Sequence, residues 1–258
     1  MTFSIIPEYS DMQSTLALIT EYGANLEYND FWNPSVYSDE TEVEKRIRYY
    51  TGIDRDRSGD TMHGAFLGLD LAAADPVIRD RSRRLYEQSL EIGARLGVKG
   101  VVFHTGLIGE LRLDYYIEHW LEEAAGFWTE MCRKYPDLII YMENSFEQQP
   151  DVFVALMERM KGVDNFRLCL DYGHAVLTQT PIEQWCRALA PYVGHMHLND
   201  NDLRDDLHLV PGCGKIDFNK WKTLMDENGI DTSVLLEISG CENAGKALRF
   251  MRGTYDKQ

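Results

Sequence analysis

The strongest constraint in this 258-residue chain is an eightfold alternation of two kinds of segment. Short runs rich in apolar and β-branched residues recur at 2–6, 24–28, 60–64, 100–104, 138–143, 167–171, 193–198 and 234–238. Longer stretches with helical spacing separate them, at 11–21, 41–51, 76–97, 113–135, 150–161, 181–190, 217–228 and near 242–252. A strand repeats every two residues and a helix every 3.6, so the pattern predicts strand and helix in strict succession. In 76–97, Ile78, Leu85, Leu90, Ile92, Ala94 and Leu96 form a broad apolar stripe that stops at Gly97. Pro181 after Thr180, and Asp217 before an apolar run, are helix-start signals. Eight strand–helix pairs in about 250 residues predict a single (β/α)8 barrel. A nucleotide-binding open sheet requires a glycine-rich turn after its first strand, and the turn here, PEYSDM, contains no glycine. No low-complexity linker interrupts the chain, so residues 1–258 are expected to form one domain.

In such a barrel the C-terminal ends of the strands carry the chemistry. Those ends read His63, His104, Glu143, Asp171, His197 and Glu237, on six consecutive strands. Any one of them alone reads as a helix cap or a rim hydrogen-bonding group. Six together, all of types that ligate divalent cations, predict a metal site, because clustered carboxylates repel unless a cation or shared protons offset their charge. His174 follows Asp171 by three residues, and Asp206 and His208 form an i, i+2 pair ahead of Pro211-Gly212-Cys213-Gly214. His195 faces the same way as His197 but one layer deeper, and is read as a hydrogen-bonded interior residue. His119, among Tyr116, Trp120 and Glu123, is read as helix surface.

Composition narrows the partners. The 42 acidic residues exceed the 26 basic ones, for a formal net charge of −16, which disfavours general nucleic-acid binding. No window approaches 18 apolar residues, which excludes a membrane-spanning helix, and the opening MTFSIIPEYSD has no signal-peptide character. Five widely spaced cysteines (Cys132, Cys169, Cys186, Cys213, Cys241) without a C-x-x-C pair fit reduced thiols and a cytoplasmic location. The segments 7–10, 29–42, 65–77, 144–151 and 172–181, which follow strands, contain no Lys or Arg. Only Arg112, Arg204, Lys215 and Lys246 lie near the other strand ends, a poor supply for duplex DNA. Aromatic residues are richer there: Phe31, Trp32, Phe66, Phe146 and Tyr172 suit the C–H faces of a sugar, although Phe31 and Trp32 serve equally well as plugs in the rim.

The motifs His104-Thr-Gly, Met142-Glu143-Asn144, Leu170-Asp171-x-x-His174, His195-x-His197-Leu-Asn-Asp200 and Asp206-x-His208-x-x-x-Gly212-x-Gly214-x-Ile216 resemble the xylose isomerase-like TIM-barrel superfamily. That superfamily contains sugar isomerases and epimerases, hydroxypyruvate isomerase, inosose dehydratase and endonuclease IV. In its epimerase branch one divalent ion is held by residues that resemble Glu143, Asp171, His197 and Glu237. In endonuclease IV three zinc ions take nine ligands, which resemble His63, His104, Glu143, Asp171, His174, His197, Asp206, His208 and Glu237. The opening Phe3-Ser-Ile-Ile-Pro-Glu8 departs from endonuclease IV, and Cys213 stands where Gly-Glu-Gly is usual.

The resemblance implies a manganese- or zinc-dependent enzyme with one ion, or two or three. The favoured reading is a sugar or sugar-phosphate isomerase or epimerase that passes a proton through a metal-stabilised enediolate. Glu143 and Glu237 would be the acid and base, with His174, Arg204, Trp32 and Phe66 around a small polar substrate. The alternative is a zinc-dependent phosphodiester hydrolase of endonuclease IV type, acting on a small substrate or on DNA. A barrel serving only as a binding module is a third reading, and assembly into a homo-oligomer is left open.

Overall fold

A computed structural model describes residues 1–108, 111 and 113–255. Eight parallel strands follow one another in chain order and close into a barrel: β1 (Thr2–Ile5), β2 (Asn25–Tyr28), β3 (Thr61–His63), β4 (Gly100–His104), β5 (Ile139–Glu143), β6 (Phe166–Asp171), β7 (Val193–Leu198) and β8 (Ser233–Leu236). Each expected strand is present: 100–104 and 193–198 keep their expected bounds, and the other six differ by a residue or two at their ends. The main helices are α1 (Met12–Tyr22), α3 (Glu40–Thr51), α4 (Pro76–Leu96), α5 (Asp114–Lys134), α6 (Asp151–Arg159), α8 (Ile182–Leu189), α9 (Phe218–Asn228) and α10 (Cys241–Tyr255), and they fall on the eight expected stretches.

The capping signals act as their chemistry requires. Asp75 accepts from the Val77 N–H ahead of α4, and Gly97 ends that helix at φ 72°, a left-handed conformation that glycine adopts without penalty. Asp217 accepts from the Asn219 and Lys220 N–H groups at the start of α9. Pro181 stands one residue earlier than expected: it flanks α8, whose first helical residue is Ile182. Three short helices were not expected: a 3-10 turn over Asp30–Trp32, α2 (Pro34–Tyr37) and α7 (Tyr172–Val176). The last forms because the Asp171 carboxylate accepts from the His174 N–H at 2.6 Å, so a strand end becomes a helix cap.

The chain divides into two compact units: Met1–Glu27 with Gln148–Pro150 and the chain from Cys169 onward, and Tyr28–Glu147 with Asp151–Leu168. In the first, β1 pairs with β2 and β8, and β7 pairs with β8 in a register that sets His197 against Leu235. Its core holds Trp185, Trp221 and Met196, with the Trp221 Nε1–H on the Met196 sulfur at 3.4 Å. In the second, β3, β4 and β5 run side by side, and the register sets His104 opposite Glu143. Trp120, Trp128, Phe103 and Tyr86 fill its core, each large ring contributing roughly 1.5–3 kcal/mol by leaving water. Also in this unit, Asp60 is fully buried and takes a two-pronged ion pair from Arg55 and a 2.9 Å bond from the Tyr28 hydroxyl.

Among the described residues no helix is long and apolar enough to cross a membrane. All five cysteines are free. Basic residues on the helices pair with acids: Arg83 with Glu123 at 2.6 Å, Arg159 with Glu118 at 2.5 Å, and Lys134 with Glu87.

Candidate metal centre

The unit built on β3, β4 and β5 brings His63, His104 and Glu143 together. Their ligand atoms lie within 4.8 Å of one another. His63 Nε2 is 3.3 Å from His104 Nε2, and both nitrogens face the Glu143 Oε2, at 3.4 and 3.2 Å. The other His63 nitrogen, Nδ1, is 2.9 Å from the Gly64 carbonyl. A carbonyl only accepts, so Nδ1 carries the proton and Nε2 keeps its lone pair for a cation. The Phe66 ring stacks on His104 at 4.3 Å and meets His63 edge-on at 5.1 Å, with Trp32 behind it at 5.4 Å. Phe66, expected against substrate, thus packs on both histidines, and Trp32, expected there too, packs on Phe66. Phe31, the suggested plug, is fully buried. Glu147, which the sequence did not single out, is buried beside this group, where it accepts from the Thr105 hydroxyl and, at 2.8 Å, from the Ser145 N–H.

The other unit carries two more donor groups. Asp171, His197 and Glu237 offer ligand atoms within 4.8 Å of one another, and so do His174, Asp206 and His208. His197 Nδ1 is 3.4 Å from the Glu237 Oε2. Glu237 itself lies one residue beyond β8, where the Ile238 N–H turns back onto the Leu236 carbonyl. Asp206 Oδ2 receives His174 Nε2 at 3.2 Å and His208 Nε2 at 3.1 Å. His208 Nδ1 donates to the Glu237 carbonyl at 3.0 Å, so its Nε2 is again the nitrogen turned to the group. His208 has φ 46°, an unusual backbone for a residue with a side chain. Burial would raise the Asp206 carboxyl and lower His208, but their hydrogen bonding and the nearby charges prevail. Asp206 is held well below the usual carboxylate range and His208 is raised to about 9.

The loop that carries Asp206 and His208 is held by Asp200. Its buried carboxylate accepts from the N–H groups of Asn201, Gly212, Gly214 and Ile216 at 2.8–3.0 Å. Its backbone exchanges two hydrogen bonds with Leu209, at 2.8 and 2.7 Å. Gly212 has φ 86°, and a Cβ on Gly214 would stand 2.4 Å from the Asp200 Oδ1. The Gly-x-Gly spacing is therefore dictated by a backbone wrapped on a carboxylate.

Behind His197 lies a group that the sequence reading missed. Glu27, in β2, is fully buried. Its Oε2 is 3.0 Å from His195 Nε2 and its Oε1 is 3.1 Å from His197 Nε2. His195 Nδ1 meets the Ser233 hydroxyl at 2.7 Å, in keeping with the interior role expected of that histidine. Burial would push the Glu27 carboxyl up, but the charge of His197 and the hydrogen bonds of both rings hold it well below its ordinary range. Cys169, in β6, sets its sulfur within 4.8 Å of both rings. The available signal for Glu27 was a lone acid between apolar neighbours in the buried strand ANLEY.

Other expected residues fall elsewhere. Arg204 and Lys215 are exposed, Lys246 pairs with Glu242 at 2.7 Å, and Arg112 lies outside the described residues. Phe146 is exposed, Tyr172 is buried and His119 is on the surface of α5.

The mixed imidazole and carboxylate donors are the kind that hold zinc, manganese or related divalent ions. A closed parallel barrel with such donors at its strand ends defines a class of metal-dependent TIM-barrel enzymes. The chain belongs to the xylose isomerase-like TIM barrel family, whose model matches residues 30–254. It is 26% identical over 240 residues to a probable endonuclease 4 of Halorhodospira halophila, covering 83% of this chain and 78% of that one. It is 27% identical over 191 residues to apurinic-apyrimidinic endonuclease 1 of Schizosaccharomyces pombe, covering 66% and 54%. In structure it is similar to a Thermus thermophilus protein, TTHB071, soaked with ZnCl2, at TM-score 0.79, 24% identity and coverage of 100% and 99%. It is also similar to a D-tagatose 3-epimerase-like protein, at TM-score 0.76, 20% identity and coverage of 98% and 96%. The last two likenesses show the fold.

Proposed function

We propose that the protein is a divalent-metal-dependent hydrolase of phosphoester bonds in small polar molecules, holding as many as three ions. One observation carries this: three groups of His and carboxylate donors, His63/His104/Glu143, Asp171/His197/Glu237 and His174/Asp206/His208, each at ligand spacing. Proton transfer at a sugar carbon needs one such group, so the other two favour the hydrolytic reading. Bound cations would offset charge on a phosphoryl oxygen and activate water for attack.

The chain's own residues divide the remaining work. Asp171 and Glu143 are almost wholly buried, whereas the Glu237 side chain keeps 14% of its surface. That exposure favours Glu237 as the carboxylate that would orient a water and take its proton. The few basic residues in the segments that follow the strands favour a small substrate over duplex DNA.

A second reading, a sugar or sugar-phosphate isomerase or epimerase with Glu143 and Glu237 as acid and base, is favoured by the epimerase-like structural relative. Ions counted per chain after gentle purification, together with two assays, separate the readings. Two or three retained zinc ions and cleavage of bis-p-nitrophenyl phosphate, lost in Glu237→Gln, support hydrolysis. One manganese-exchangeable ion, with solvent-deuterium uptake at a sugar carbon, overturns it in favour of isomerisation.

A further inference from the structure

Ser233, His195 and Glu27 form a continuous chain, half-buried at Ser233 and fully buried beyond it, that ends on His197. We infer that Glu27 is a positioning residue for the metal centre, fixing His197 with its proton on Nε2 so that Nδ1 is presented to a cation. This rests on the metal-ion reading proposed above and holds for either reaction.

The donor count allows one consistent assignment. Glu27 in its ionised form has no proton to give, so both imidazoles near it must donate. His195 Nε2, at 3.0 Å, donates to Oε2, and His197 Nε2 faces Oε1 at 3.1 Å. With its proton on Nε2, His195 Nδ1 is an acceptor, and the Ser233 hydroxyl at 2.7 Å donates to it. The order is Ser233 O–H to His195 and His195 N–H to Glu27 as hydrogen bonds, with His197 Nε2 against the second Glu27 oxygen at ion-pair distance. His197 Nδ1 is left as a lone pair on the Glu237 side of the ring, 3.4 Å from Oε2 of that carboxylate. Glu27, His195 and His197 are all fully buried, so water does not compete for these positions.

The arrangement does more than fill space. A histidine ligand whose far nitrogen donates to a carboxylate is held in one tautomer and one ring orientation, and becomes more basic toward the ion. Glu27 comes from β2 and His197 from β7, so the contact also ties two distant parts of the chain. Ser233 begins β8 and His195 lies opposite it in register, which places the hydroxyl against the ring through ordinary strand pairing.

The test measures zinc affinity by competition with a chromophoric chelator, using the full chain, Glu27→Gln and His197→Ala. It also records a 15N-histidine NMR spectrum of the zinc-loaded wild-type chain. The glutamine has the size of the glutamate but turns an N–H2 toward one of the two ring donors. The expected result is a zinc affinity about 10–100-fold weaker in Glu27→Gln, with the thermal midpoint of the metal-free protein much less affected. The spectrum should place the His197 proton on Nε2. Wild-type affinity in Glu27→Gln, where His197→Ala loses the ion, overturns the role of Glu27 and leaves the metal reading standing. No zinc uptake by the wild-type chain overturns both. The spectrum needs no variant, so it decides the matter even where Glu27→Gln fails to fold: a proton on Nδ1 in the loaded protein refutes the inference.

Discussion

Asp200 offers the sharpest test of how the loop and the metal centre depend on one another. Its carboxylate accepts from Gly212, Gly214 and Ile216 across 12 to 16 residues of chain, in addition to its neighbour Asn201. A hydrogen bond to a charged group contributes about 1.5–3 kcal/mol. Gly212 and Gly214 are exposed, so water replaces part of what they lose, whereas Ile216 is buried and cannot be rehydrated. The low end of that range therefore applies to the two glycines. Asp200→Ala should cost roughly 4.5–6 kcal/mol, and Asp200→Asn, which keeps one acceptor oxygen, about 3 kcal/mol. For a chain of this size the asparagine variant should melt about 6–12 °C lower. The same loop carries Asp206 and His208, so the loss should extend to ion binding at the His174/Asp206/His208 group. Thermal melting of the metal-free protein and zinc counted per chain are the two measurements. Lys215→Ala, on the same loop but exposed, is the control and should leave both unchanged. An Asp200→Asn variant that melts with the wild type refutes the loop argument. One that melts early but retains all its zinc refutes the coupling.

Three other outcomes are expected. Asp60→Ala strands the Arg55 guanidinium, whose side chain is only 13% exposed, and should cost about 3–5 kcal/mol in denaturant unfolding; a shift within experimental error contradicts this. Gly214→Ala brings a Cβ to 2.4 Å from the Asn201 carbonyl and the Asp200 carboxylate, neither of which can swing away. It should lose about 1–3 kcal/mol and, with the loop displaced, some zinc. In the metal-free protein the His208 contribution to stability is complete below the ordinary histidine value of 6.5 and is gone once pH has risen through about 9, because the folded form holds the proton more tightly. A cation at that group must displace this proton, so zinc uptake at pH 7 should release it; equal calorimetric heats in buffers of different ionisation enthalpy would contradict that.

What could be read from the sequence divides along physical lines. Strand and helix were legible because local periodicity records burial, and the caps Gly97 and Asp217 act within a few residues of themselves. The strand-end residues were legible because a parallel barrel gives them a common position, which is why His63, His104, Asp171 and His197 could be picked before any geometry was known. Glu27 was hidden because its meaning depends on partners 168 and 170 residues away, and within ANLEY it looks like an ordinary solvent-facing acid. Asp200 was quoted in a motif, yet its work on Gly212, Gly214 and Ile216 is a property of the folded loop. The aromatic residues show the same limit: Phe66 and Trp32 were expected to meet a sugar, whereas their neighbours in the fold, His63 and His104 for Phe66 and Phe66 for Trp32, were not foreseen. That difference bears on the reaction. A stacked ring dries and stiffens two histidines that a single-ion isomerase would not need, which is how a group built to hold its own cation would be expected to look.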